Sequence, residues 1–178
     1  MKRTTALLTA ALMLLCCMLA FTGCDTPKEA VIPDGYQVYS NDDISFAYPE
    51  GWTKNDGSTV MLVNEAGVGN NITVVYEAKN DFYSTMDVED FNTSMKPALE
   101  TVGATITDTV VTQTKNDLSV SITKVSYNAT AANGVSMAQT MYITTVGNRT
   151  YVITVTVTDS DSAANLVENV FDTLNVVK

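Results

Sequence analysis

Two runs of apolar residues and threonine, Val135 to Val146 and Thr150 to Thr158, are set off by Asn133-Gly134 and Gly147-Asn148. These dipeptides supply the positive φ values that a tight hairpin turn needs, so the spacing predicts a long antiparallel pair. In the second run Tyr151, Ile153, Val155 and Val157 fall on one face. Val152, Thr154, Thr156 and Thr158 fall on the other, because side chains alternate along a strand. The first face reads as core. The threonine face is semi-polar and suits partial cover.

The same period appears upstream. Tyr36 to Tyr39 and Ile44 to Tyr48 alternate around Asn41-Asp42, and Thr59 to Asn64 and Ile72 to Ala78 flank Gly67 and Gly69. Ala104 to Thr114 and Leu118 to Tyr127 flank Asn116-Asp117. Two stretches have helical period instead. Val88, Phe91, Met95, Leu99 and Val102 form one stripe, with Asp87 as N-cap and with Pro97 expected to kink or divide the helix. Ala163, Val167, Val170, Phe171 and Leu174 form the second, capped by Ser160 or Ser162. Strands, helix, strands, helix is the order of an α+β domain with an antiparallel β-sheet flanked by helices.

The cysteines set the chain's expected address. Cys16, Cys17 and Cys24 are its only three, all near the start. Lys2 and Arg3 precede an apolar run from Ala6 to Phe21, and Thr22-Gly23 follow, which is the charge, core and cleavage order of a secretory signal. The run is shorter than the ~20 residues that span a bilayer comfortably. Phe21-Thr22-Gly23-Cys24 resembles the lipobox of bacterial lipoproteins, although Phe21 stands where that family usually has Leu. The resemblance implies a signal peptide over 1–23, removed before Cys24, and a diacylglyceryl or palmitate-type anchor on Cys24. The expected address is therefore the extracytoplasmic face of a cell membrane, in the cell envelope. Residues 24–35 read as a tether, and 36–178 as one domain that folds as a monomer without disulfides. Ten tether residues reach at most about 35 Å.

Without Lys2 and Arg3, eight basic residues of the ten remain against 20 acidic ones, a net charge of −12. That balance argues against nucleic acid and against anionic headgroups. Histidine is absent, which removes the common nucleophile pairs and the usual base near neutral pH. No phosphate-binding glycine loop occurs, and nothing in the sequence calls for a cofactor. Asp159-Ser-Asp161-Ser162 fails as a calcium loop, since positions six and twelve are Ala164 and Val170.

The stretch "SFAYPEGW", Ser45 to Trp52, is similar to the opening of PsbP-like domains: an early strand ending in an aromatic-Pro-x-Gly-Trp turn. That family includes the photosystem II extrinsic subunit, DcrB- and LpqN-type envelope lipoproteins and a Ran-binding import protein. The resemblance, carried over about Tyr36 to Val177, implies an α/β/α sandwich and a binding or accessory role, not an enzyme. Pro49, Gly51 and Trp52 read as structural. Asp42, Asp43 and Glu50 are the only carboxylates that suggest acid/base work, a carboxylate-dependent envelope hydrolase being the alternative. They sit among turn residues, where water would keep them ionised. Tyr36, Tyr39, Tyr48, Trp52, Phe82 and Tyr83 gather near turns. Tyr36, Phe82 and Tyr83 are the candidate surface for an envelope protein or small ligand. No catalytic and no metal-binding residues are assigned.

Overall fold

Hairpin turns and alternation resolve into two antiparallel sheets. The computed structural model describes residues 28–57, 59–64, 69–101, 103–158 and 160–177, with side chains of the last segment from 165 onward. Strands β1 (Tyr36–Ser40) and β2 (Ile44–Pro49) form the first hairpin, and β10 (Asn175–Val176) adds a third strand to it. The larger sheet contains β3 (Thr53–Asn55), β4 (Val60–Val63), β5 (Asn71–Ala78), β6 (Ala104–Lys115), β7 (Ser121–Ala131), β8 (Ser136–Val146) and β9 (Arg149–Val157). Its order is β3-β4-β5-β9-β8-β7-β6. The expected long hairpin is its centre, in register from Val146 opposite Arg149 to Ala138 opposite Val157.

Both faces of that hairpin are covered, by different elements. On one face Tyr142, Tyr151, Ile153 and Val155 pack with Ile72 and Val74 of β5. Over them lie Ile44 and Phe46 of the small sheet and Leu166 and Val170 of the terminal helix α3 (Ser160–Thr173). On the other face Val125, Tyr127, Met141 and Ile143 meet Met86, Phe91 and Ile106. The cover there is helical, but it is broken into α1 (Val88–Asp90), a π turn (Phe91–Met95) and α2 (Lys96–Glu100). Pro97 explains the break. It cannot donate to the carbonyl of Thr93, and its ring would press on that group. The backbone widens just ahead of it, and Lys96 N–H bonds back to the Phe91 carbonyl.

Asp87 caps this helix as expected, accepting from the N–H groups of Glu89 and Asp90, while the Asp90 carboxylate accepts from Asp87 N–H. Val88 is exposed, so the apolar stripe starts with Phe91; Val102 lies outside the described residues, as do the side chains expected to cap α3. The semi-polar face behaves as its composition demands. Thr154, Thr156, Thr73 and Gln139 line an open groove of ≈ 380 Å³ beyond the reach of the helices. Trp52 and Tyr48 pack against the first core.

At the β6–β7 turn Asn116 is buried and fully used. Its Nδ2 donates to the carbonyls of Phe171 (2.9 Å) and Leu174 (2.6 Å), and its Oδ1 accepts from Leu118 and Val120 N–H (both 3.1 Å). One side chain thereby closes a turn and satisfies the last carbonyls of α3.

Tyr127 offers a check on the second core. Burial pushes its phenol up to about 12, against about 10 in an unfolded chain. The neutral phenol is therefore favoured by folding. This contribution is fully present below pH 10 and lost as pH rises from about 10 to 12. Chemical denaturation across that range should show a stability decline that Tyr127→Phe makes shallower.

Candidate functional site

Where β6, β7 and β8 end, the sheet opens into a cleft of ≈ 630 Å³. Tyr83 and Ser84 form one wall, Gln113 and Lys115 another, and Ile143, Thr123 and Thr145 the base. The wall carrying Tyr83 is a 3-10 turn, Asp81–Ser84, capped by Asn80, whose side chain accepts from Phe82 N–H (3.1 Å). Asn80 N–H in turn donates to Thr150 Oγ1 (3.0 Å), pinning the turn to β9.

A second set of bonds fixes the turn from below. Gln113 Nε2 donates to the carbonyls of Met86 (3.0 Å) and Tyr83 (3.3 Å). Thr123 Oγ1 shares its proton between the Tyr83 carbonyl (2.6 Å) and Gln113 Oε1 (2.7 Å). The rings of Phe82 and Tyr83 meet edge to face, centroids 5.6 Å apart. Burial raises the Tyr83 phenol above its ordinary range, and the charge of Glu77 and a hydrogen bond to it add to the effect.

The aromatic candidates do not form one surface. Phe82 and Tyr83 pack beside the second core, whereas Tyr36 lies half-buried on β1 against the first. They share turn-like sequence surroundings, but the sheet stands between their cores. Only Tyr83 of the three lines the cleft.

The carboxylates correct a second expectation. Asp43 does not sit in water: it is 2% exposed, and its Oδ2 accepts from Tyr151 Oη (2.7 Å) and Arg149 Nη1 (3.1 Å). Arg149 lies over the Tyr76 ring, 4.8 Å from its centroid. The Tyr151 phenol is raised, first by its burial and then by its bond to Asp43. Glu50 is exposed at the far end of β2, six strand residues away, or roughly 20 Å. Asp43 and Glu50 therefore cannot act as a pair. Sequence reasoning missed Arg149 and Tyr151 as partners, since 106 and 108 residues separate them from Asp43. Among the described residues, no three acidic or thiol side chains gather where they could hold a metal ion. Cys24 and Asp159 lie outside the described residues.

The sequence model of the PsbP family matches residues 34–176, and the chain belongs to that family. Among solved structures, it is similar to cyanobacterial PsbP (CyanoP) from Synechocystis sp. PCC 6803 in solution, with a TM-score of 0.65 and 14% identity. That match covers 88% of this chain and 99% of the other. A crystal structure from Bacteroides thetaiotaomicron VPI-5482 matches at a TM-score of 0.47 and 16% identity, covering 76% of this chain and 45% of that one. No curated protein matches. The fold is thus the α+β, PsbP-like sandwich that "SFAYPEGW" suggested.

Asp43 joins the small sheet to the large one, so its loss should be felt in stability. Asp43→Ala leaves the buried Tyr151 hydroxyl without this acceptor, a cost of about 1–3 kcal/mol. Urea denaturation should show the midpoint falling with an unchanged slope, while Glu50→Ala leaves it in place.

Proposed function

We propose that this chain is a lipoprotein of the cell envelope, held to the extracytoplasmic membrane face through Cys24, whose PsbP domain is a non-catalytic binding or accessory module. On this reading residues 1–23 are the signal, 24–35 the lipidated cysteine and tether, and 36–178 a monomeric domain. Its partner is an envelope protein or small ligand, and neither nucleic acid nor a cofactor takes part.

The observation that carries the binding reading is the lining of the two hollows on the threonine side of the sheet. Among the described residues, neither the cleft at Tyr83 nor the groove at Thr154 has a carboxylate in its wall. Glycoside and peptide hydrolysis by carboxylates needs two of them converging, one with a raised pKa. A cleft of aromatic, hydroxyl and amide groups instead supplies contact area and hydrogen bonds without a proton to transfer. Membership of the PsbP family, whose known roles the sequence resemblance associates with binding, supports the same reading. Tyr36 is the second candidate contact, on the opposite side of the domain.

Two experiments test the proposal. Cells fed radiolabelled palmitate should label the wild-type chain and not Cys24→Ser, which should leave the membrane fraction. Equal labelling of both removes the anchor. Separately, a photo-crosslinking residue at Ser84 should form a discrete adduct with an envelope component in intact cells. The same residue at Lys124, on the opposite sheet face, should form none. Identical patterns from the two positions would refute a binding role for the cleft.

A further inference from the structure

Strand β6 has a neighbour on one side only, because the larger sheet ends there. Two hydrogen bonds show which of its backbone groups face outward. Ile106 N–H donates to Glu100 Oε1 (3.1 Å), and so points away from β7, where Ala129 stands opposite it. Opposed residues of an antiparallel ladder share this orientation, and it recurs at every second residue. The β7–β8 register is unbroken, so Val125 and Thr123 face as Ala129 does. Their partners Val111 and Gln113 therefore turn N–H and C=O outward. At the hairpin end Asn116 N–H donates inward to the Val120 carbonyl (3.3 Å), which turns Lys115 outward as well.

A row of outward strand groups is a template for another strand, and native sheets blunt such edges with charge, proline, bulges or brevity. The other edges of the described sheets, β1, β3 and β10, have five, three and two residues. Strand β6 has twelve. Its first half is closed by the Glu100 side chain and by a bulge between Thr107 and Val110, with Asp108 at φ 55°. Residues 110–114 carry no charge, proline or bulge. They read Val-Val-Thr-Gln-Thr, a strand-forming run, and Val110 is 56% exposed. Charge stands only at the two ends of this run, with exposed Lys115 at one and exposed Asp108 near the other. Asn128 Nδ2 (2.9 Å) and Thr107 Oγ1 (3.0 Å) donate to the Asp108 carboxylate and hold it below its ordinary range.

We infer that residues 110–115 are a docking edge on which an extended segment of the envelope partner adds as an antiparallel strand, with an acidic residue toward Lys115 and a basic one toward Asp108. This rests on the binding-module reading above and names how a protein partner is held. The backbone groups of Val111, Gln113 and Lys115 supply the ladder bonds. Every strand pair in this sheet is antiparallel, and that sense places the segment's acidic residue before its basic one. Side chains opposite Gln113 and Lys115 come to the rim of the cleft, where alternate positions of the added strand are read.

The test uses the full chain in detergent and a fluorescein-labelled, amidated peptide, Glu-Thr-Val-Thr-Val-Thr-Arg, read by fluorescence polarisation. It should bind saturably, and the reversed charge order, Arg-Thr-Val-Thr-Val-Thr-Glu, more weakly. A strand turns only alternate amides toward its neighbour. Of two peptides N-methylated in the two alternating patterns, one should therefore retain binding and the other lose it. Val110→Lys combined with Thr112→Lys puts charge on the edge and should weaken binding about tenfold, as losing one or two net hydrogen bonds would. Both side chains are exposed, so the melting temperature should not change. Val110→Thr should bind as the wild type does. Absence of saturable binding, no preference between the charge orders, equal effects of the two methylation patterns, or full affinity in the lysine variant would overturn the inference. So would a dimer that the lysine variant dissociates, since the edge would then belong to a second copy. If the peptide fails while Ser84 still crosslinks to an envelope protein, strand addition falls and the binding module stands. If both fail, so does the binding reading.

Discussion

A strand pair that is apolar on both faces has to be covered twice, and that requirement organises the whole domain. Tyr142, Tyr151 and Ile153 point one way from β8 and β9, and Met141 and Ile143 the other. Leaving either set in water would cost about 1.5–3 kcal/mol for each large side chain. The two covers are offset. The small sheet and α3 cover one face over β5, β9 and β8, while the broken helix covers the other over β6 and β7. The broken helix leaves part of its own face open on either side, and the open parts are where threonine replaces valine and isoleucine. The groove at Thr154 and the cleft at Tyr83 follow from this arrangement.

The lids are attached by buried side-chain hydrogen bonds, in a domain whose described residues include no cysteine. Asn116 holds the end of α3 to the β6–β7 turn, and Thr173 Oγ1 accepts from Ala47 N–H (2.8 Å), tying α3 to β2. Asp43 reaches across to Tyr151 and Arg149, and Gln113 with Thr123 seats the 3-10 turn. Each bond contributes only about 0.5–1.5 kcal/mol net, but leaving its buried partner unpaired costs more. These ties therefore specify where each lid sits more than they add to its affinity for the sheet.

This division explains what could be read from the chain in advance. Periodicity and turn chemistry are local, so the β8–β9 hairpin, the Asn116-Asp117 turn, the Asp87 cap and the break at Pro97 were all legible. Strands of two or three residues, such as β3 and β10, have no period to show, and they exist because a neighbouring strand offers them a ladder. Asp43 was misread because Asn41-Asp42-Asp43 looks like a solvated turn. It is a turn, with Asn41 Oδ1 accepting from Asp43 and Ile44 N–H, but one that faces the β8–β9 hairpin. Similarly, Tyr36 and Tyr83 look alike in sequence, and only the sheet between their cores separates them. The cleft was legible in one residue of its wall, Tyr83. The rest of it is made of strand ends that no local pattern brings together.

The position of the chain's amino-terminal approach bears on how the cleft would be presented. Lys28 pairs with Asp117 at 3.4 Å, and residues 28–33 run beside Asp117, Leu118 and Asp172. The pair is exposed on both sides, so it is worth at most about 1 kcal/mol. Its location is more informative than its strength. Asp117 belongs to the turn that follows β6, two residues beyond Lys115 at the rim of the cleft. With the proposed anchor at Cys24, only three residues would lie between the lipidated cysteine and Lys28, and the four steps from Cys24 to Lys28 span at most about 14 Å. On that reading, the end of the sheet that carries the cleft would be the end nearer the bilayer. A partner at that height would be reached without the domain leaving the membrane. The chain's net charge of −10 fits the same proposal, because it would oppose the domain's settling onto anionic headgroups.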